Sequence, residues 1–133
     1  MNAPYNPSSS PEILFAVRAL NHIFGLRRKL RRVVEAGSIE RSIDALETCF
    51  RDQWIWPDEG LVMSDPTGEP YSDTRNDCDA SIAGESLENL VIVDTLKPII
   101  RLVVRADGRE QSIVVQKAAV VVRSREELPG ASE

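Results

Sequence analysis

The spacing of apolar residues changes character once along the chain. Between Pro11 and Ala36, the residues Ile13, Val17, Leu20, Ile23, Phe24, Leu30, Val33 and Val34 recur at intervals of three and four. That is the period of one face of a helix. Leu14, Phe15 and Leu26 widen the stripe. Ser10 before Pro11 supplies an N-cap with proline at the first helical position, and Glu12 adds negative charge where the helix dipole favours it. Gly37 suits a helix-ending position. The spacing therefore predicts a helix over about 11–36. Ile39, Ile43, Leu46 and Phe50, with Cys49 beside them, repeat the helical period. Ser38 can cap this second helix, which is expected from Ile39 to about Gln53, and Pro57 stops the pattern after Trp54 and Trp56.

From Leu90 to Val122 the pattern changes to dense Val, Ile and Leu, about half of the stretch. β-branched side chains suit a pleated, half-buried surface, so strands are expected at Leu90–Thr95, Ile99–Ala106 and Gln111–Val122, the last with a bend at Ala118-Ala119. Asp107-Gly108 is a two-residue hairpin signal. The register it implies sets Arg105 opposite Glu110, an opposite-charge pair, with Leu102 facing Ile113 and Ile100 facing Val115. Shorter strands are expected near Leu61–Met63 and Ala80–Ile82.

Helices followed by strands indicate an α+β chain with segregated halves. The expected organisation is a leader over 1–10, a helical segment over 11–56, a small and mainly antiparallel β-domain over 57–122, and a polar, frayed tail over 123–133. Two helices with wide apolar stripes cannot cover each other alone. A homodimeric four-helix bundle is the economical solution, with Leu20, Phe24, Leu30, Ile43, Leu46 and Phe50 as its expected dimer contacts.

Charge adds an asymmetry. The 133 residues carry a formal net charge of −5, which disfavours non-specific binding to nucleic acid. From Glu12 to Glu35 there are six basic and two acidic residues, and from Asp58 to Asp94 ten acidic residues and one arginine. The two cysteines, Cys49 and Cys78, form no spaced cluster and read as free thiols in a reducing compartment. No apolar run approaches membrane-spanning length, and no secretory leader is expected at the N-terminus. A soluble cytoplasmic protein is the expectation.

The candidate chemistry is sparse. His22 is the single histidine, and nothing nearby would position it as an acid or base. An EF-hand register begun at Asp77 would use Asp79, Ser81 and Glu88, but its sixth position is Ile82 where the turn requires glycine. That stretch reads as a solvated acidic loop, so no metal site is expected. Arg27, Arg28, Lys29, Arg31 and Arg32 spread over several helix faces, and a solvated face or a contact with the chain's own acidic loops is preferred to a nucleic-acid patch. Trp54 and Trp56 read as packing residues. With no phosphate loop and no nucleophile-base arrangement, neither an enzyme nor a cofactor is expected.

Three stretches carry a resemblance. Pro66-Thr-Gly68-Glu69-Pro70-Tyr71, the run from Val91 to Pro98, and the run from Val115 to Val122 are similar, in order and spacing, to segments of the GrpE family of nucleotide exchange factors for DnaK-type chaperones. The resemblance covers residues 20–122. It departs from the family pattern at Asn76, where the family usually has histidine, at Lys97-Pro98, which replaces a glycine-containing turn, in a longer hairpin tip, and in the short helical stretch before the bundle. It implies a dimer held by the helix pair and a β-domain that wedges against the chaperone's ATPase domain. Tyr71, Arg101, Arg105 and the acidic loop would carry that contact. The alternatives are a dimeric, non-enzymatic scaffold or adaptor of the same fold that binds another protein, or an unrelated binding module.

Overall fold

Proline at the first helical position fixes where the first helix begins. In the computed structural model, which describes residues 10–33, 35–52, 54 and 56–129, helix α1 spans Pro11–Leu30 and helix α2 spans Gly37–Arg51. Six strands follow: β1 (Glu59–Ser64), β2 (Cys78–Ile82), β3 (Leu90–Lys97), β4 (Ile99–Ala106), β5 (Arg109–Gln116) and β6 (Ala118–Ser124). The α+β composition expected from the apolar pattern is present.

The helix ends differ from expectation. Ser10 is the N-cap of α1, but its hydroxyl donates to the Glu12 carboxylate at 2.7 Å instead of accepting from the backbone. α1 stops at Leu30, not near Ala36. Arg31, Arg32 and Val33 are exposed, so no apolar burial supports another turn. Glu35, at φ 66°, supplies the left-handed break between the helices. Gly37 therefore opens α2 instead of closing α1. Ala36 is the N-cap of α2, and Ser38 lies inside its first turn. Val34, Gln53 and the leader over 1–9 lie outside the described residues.

The chain divides into two compact units, one formed by residues up to 63 with 100–115 and the other by 64–99 with 116 onward. This division does not follow the expected boundary between a helical segment and a β-domain. In the first unit the sheet has strand order β1-β4-β5. Ile13, Ala16, Leu20 and Ile23 of α1 and Ile43 of α2 form one core with Leu61, Ile100 and Leu102. Gly60 is required here: a Cβ on it would lie 1.9 Å from the Arg51 carbonyl oxygen. The β4–β5 turn has positive φ at both Asp107 (53°) and Gly108 (71°), the geometry of a type I′ hairpin. Arg105 and Glu110 lie 3.7 Å apart across it, as the register requires.

In the second unit the strand order is β2-β6-β3. β6 runs antiparallel to β3 but parallel to β2, with Cys78 beside Ala118 and Ile82 beside Val122. The sheet is therefore mixed, not simply antiparallel. Ala118, Val120, Val122 and Ser124 alternate as buried positions along β6. The segment 68–71 lies along the outer edge of β3: Gly68 N–H donates to the Ile92 carbonyl, Ile92 N–H to that of Glu69, and Tyr71 N–H to that of Leu90. The run expected as one bent strand is two strands separated at Lys117 and shared between the two units. The expected frayed tail is ordered over its first part, where β6 reaches Ser124 and a single 3₁₀ turn spans Arg125–Glu127.

Candidate functional site

On the helix pair, the residues expected to hold a dimer divide by burial. Leu20, Phe24 and Ile43 are buried within the chain itself, and Leu30 and Phe50 are half-buried. Leu20 and Ile43 belong to the unit's own core because β1 and β4 supply the third layer that the helices need. Only Leu46 of the six is exposed. The apolar surface left open lies on neighbouring positions: Leu14, Phe15 (70 % exposed) and Leu26 on α1, and Ile39 with Leu46 on α2.

The basic stretch has a structural partner. Arg27 donates to Asp44 at 2.6 Å and to Glu47 at 3.3 Å, tying α1 to α2. Burial works against its charge, but the hydrogen bonds and charges of the two carboxylates offset this and raise its pKa. The Arg28 guanidinium lies 6.0 Å from the Phe24 ring centroid, within cation–π range. His22 is exposed. Trp54 packs on the core, tilted against Phe50 at 6.1 Å, with its indole N–H buried and unpartnered among the described residues. Trp56 is exposed.

Arg101 and Arg105 share a face of β4, four residues apart. Arg101 is half-buried; Arg105 is exposed and sits beside Glu110, and its main-chain N–H donates to the Asp58 carbonyl at 2.8 Å. Tyr71 belongs to the other unit. There it is half-buried and lines a cleft of about 600 Å³ with Pro70, Asp73, Ala80, Ile82, Leu87 and Leu90. Leu87 (69 % exposed) and Ile82 are open apolar surface in this cleft.

Two charged clamps shape this surface, and neither had a signal in the sequence. Arg75 donates to Asp77 at 2.6 Å and to Glu69 at 2.7 Å. These bonds raise its pKa, against the opposing effect of burial. Asp77, the first residue of the calcium-loop register, is thus engaged by a cation. Among the described residues no group of three acidic, His or Cys side chains is arranged to hold a metal ion. Glu127 forms the second clamp, accepting the main-chain N–H of Ser86 at 2.8 Å and that of Glu85 at 3.4 Å. Glu126 accepts from the Ser124 hydroxyl and the Asn89 amide, which hold its carboxyl below the usual range. Cys49 is exposed and Cys78 buried, both as free thiols. Burial, together with Asp77, pushes the Cys78 thiol up to about 11, partly opposed by Arg75. No helix among the described residues is long and apolar enough to cross a membrane. No protein-family profile, curated protein or solved structure matches the chain.

Proposed function

We propose that the chain is a GrpE-like co-chaperone, a non-enzymatic protein that promotes ADP release from a DnaK-type chaperone. The observation that carries the reading is the placement of the three stretches on which the resemblance rests. Residues 66–71 run beside β3 through three main-chain hydrogen bonds, and β3 pairs along its length with β6. Segments far apart in sequence thus become adjacent lanes of one small structure, as they would if they were inherited together as a folded unit.

The mechanism needs no reacting side chain. A protein that holds the open, low-affinity form of the nucleotide-binding domain more tightly than the closed form shifts the equilibrium toward release. By reciprocity, bound ADP weakens the factor's own binding. Tyr71, Arg101 and Arg105 are the proposed contacts. Tyr71 is half-buried in the lining of a cleft that includes Ile82, Leu87 and Leu90, and the two arginines offer donors from one strand face. The open apolar positions on α1 and α2 are the proposed dimer surface, with Leu14, Phe15, Leu26, Ile39 and Leu46 replacing the buried Leu20, Phe24 and Ile43 as its contacts. Cytoplasmic localisation belongs to the same proposal, because the chaperone partner works in that compartment.

The test is the rate of release of a fluorescent ADP analogue from the DnaK-type chaperone of the same organism. Acceleration that saturates with added protein supports the reading. A complex without acceleration would assign the chain instead to a scaffold or adaptor role.

A further inference from the structure

The second unit has one sheet edge that the described residues leave open. β3 is covered on its outer side by residues 68–71, whereas β2 ends the strand order. In a parallel pair, a residue that bonds its neighbour uses both its N–H and its C=O, and the next residue turns both away. Ala118 N–H donates to the Asp77 carbonyl, and Ala83 N–H to that of Val122. The odd-numbered residues 77–83 therefore face β6. The main-chain groups of Ala80 and Ile82 face outward at half-buried and exposed positions, and nothing among the described residues pairs with them, whereas Cys78 at the start of the strand is buried. Beside them lies the cleft lined by Ala80, Ile82, Tyr71 and Leu87.

We infer that this edge receives an extended segment of another protein, in which apolar residues alternate with lysine or arginine. The main-chain row selects an extended backbone, since only a strand matches its spacing. Side-chain alternation then sorts the occupant's residues. On the face of Ala80 and Ile82 its side chains meet the apolar cleft. On the opposite face they meet Asp79, whose side chain is 77 % exposed and lies 4.0 Å from the Lys117 ammonium. Asp73 lines the cleft, and the exposed Glu85 and Glu88 flank Leu87. Arg75, the one basic residue between Asp58 and Asp94, is bound to Asp77 and Glu69. A second copy of this chain would bring further carboxylates to an acidic edge, whereas a basic segment neutralises it. The cavity near β5 is lined by Val104, Ala106, Asp107, Arg109 and Gln111, and its basic Arg109 leaves that edge without the acidic surround of the β2 edge. The site shares Tyr71 and its cleft with the proposed chaperone contact, but its test needs no nucleotide-dependent partner, so either reading can fail without the other.

The probe is the fluorescein-labelled heptapeptide Lys-Val-Lys-Val-Lys-Val-Lys, titrated by fluorescence anisotropy with the full chain. Two further forms carry N-methyl groups, one on the three valine amides and the other on the internal lysine amides. Strand addition predicts saturable binding of the parent, loss of about tenfold or more for one methylated form, and retention by the other, because only one set of amides faces β2. Ala80→Pro removes an outward N–H without touching the β2–β6 ladder and should weaken binding by about tenfold or more. Leu87→Asp, at an exposed position, should do the same without affecting the fold, as circular dichroism will show. It keeps the test valid if the proline variant misfolds. Absence of saturable binding, equal binding of both methylated forms, or indifference to Leu87→Asp would overturn the inference. So would a dimer in sedimentation that Ala80→Pro dissociates, which would assign the edge to a second copy.

Discussion

The carboxylate of Glu127, in the 3₁₀ turn that follows β6, accepts the main-chain N–H of Ser86 at 2.8 Å. Those residues are 41 apart in sequence. The bond fixes the loop that carries Leu87 into the cleft, so the far end of the chain shapes a surface built from its middle. Glu127→Ala should leave the Glu85 and Ser86 amides without their acceptor. Hydrogen exchange at these amides should speed up by about tenfold, corresponding to about 1–2 kcal/mol of lost local protection. Amides along β6 should be unaffected.

Burial divides the residues of the helix pair into two classes with opposite expected phenotypes. Leu20 is fully buried, and Leu20→Ala should cost about 2–5 kcal/mol in denaturant unfolding. Leu46 is half exposed, so Leu46→Ala should change the stability of a single chain by less than about 0.5 kcal/mol. If the open apolar positions hold a dimer, Leu46→Asp should shift the association equilibrium in sedimentation toward monomer. A dimer indifferent to both Leu46→Asp and Phe15→Asp would place the interface elsewhere.

Features governed by local chemistry were legible in the sequence, and features governed by long-range pairing were not. Asp107-Gly108 announced its turn because two successive residues must adopt positive φ there. The helical stripes were visible because burial on one face imposes a period. The division of the run from Arg109 to Ser124 into two strands left no comparable mark, since Ile113–Val115 of β5 and Val120–Val122 of β6 are similar β-branched triplets received by different sheets. Helical periodicity reports that a face is covered, not what covers it, so the pattern alone fits Leu20 and Ile43 equally to a second chain. The covering strands come from β1 and β4, distant in sequence. In the cleft, Tyr71 was identified through resemblance. Ile82, Leu87 and the Glu127 clamp depend on the pairing of β2 with β6 and could be found only in three dimensions.

Arg27 links the two helices through Asp44 and Glu47. The pairs are partly exposed, with 29 % exposure for the Arg27 side chain and 64 % for that of Asp44. A double-mutant cycle between Arg27→Ala and Asp44→Ala should give a coupling of about 0.3–1 kcal/mol that declines with added salt. A coupling indistinguishable from zero at low salt would remove this contact from the forces that orient α2 on α1.

The two thiols should differ sharply in reactivity. Cys49 is exposed and Cys78 buried, so a thiol-disulfide reagent at neutral pH should label one thiol rapidly and the second only on unfolding. Cys78 also makes stability depend on alkaline pH. Its folded pKa of about 11 lies above the ordinary 9.0. The unfolded chain therefore loses this proton first, and the contribution is complete below pH 9 and lost as pH rises toward 11. The slope contributed is at most about 1.4 kcal/mol per pH unit. Cys78→Ala should flatten it relative to the parent protein in denaturant titrations across that window.

The proposed exchange activity is read out by ADP release from a DnaK-type chaperone, followed in real time by displacement of a fluorescent analogue. This chain should accelerate release by about tenfold or more at saturation, which corresponds to a preference of about 1.4 kcal/mol for the open form. Tyr71→Ala should lower the gain without unfolding the protein. A release rate unchanged at saturating protein would rule out exchange activity.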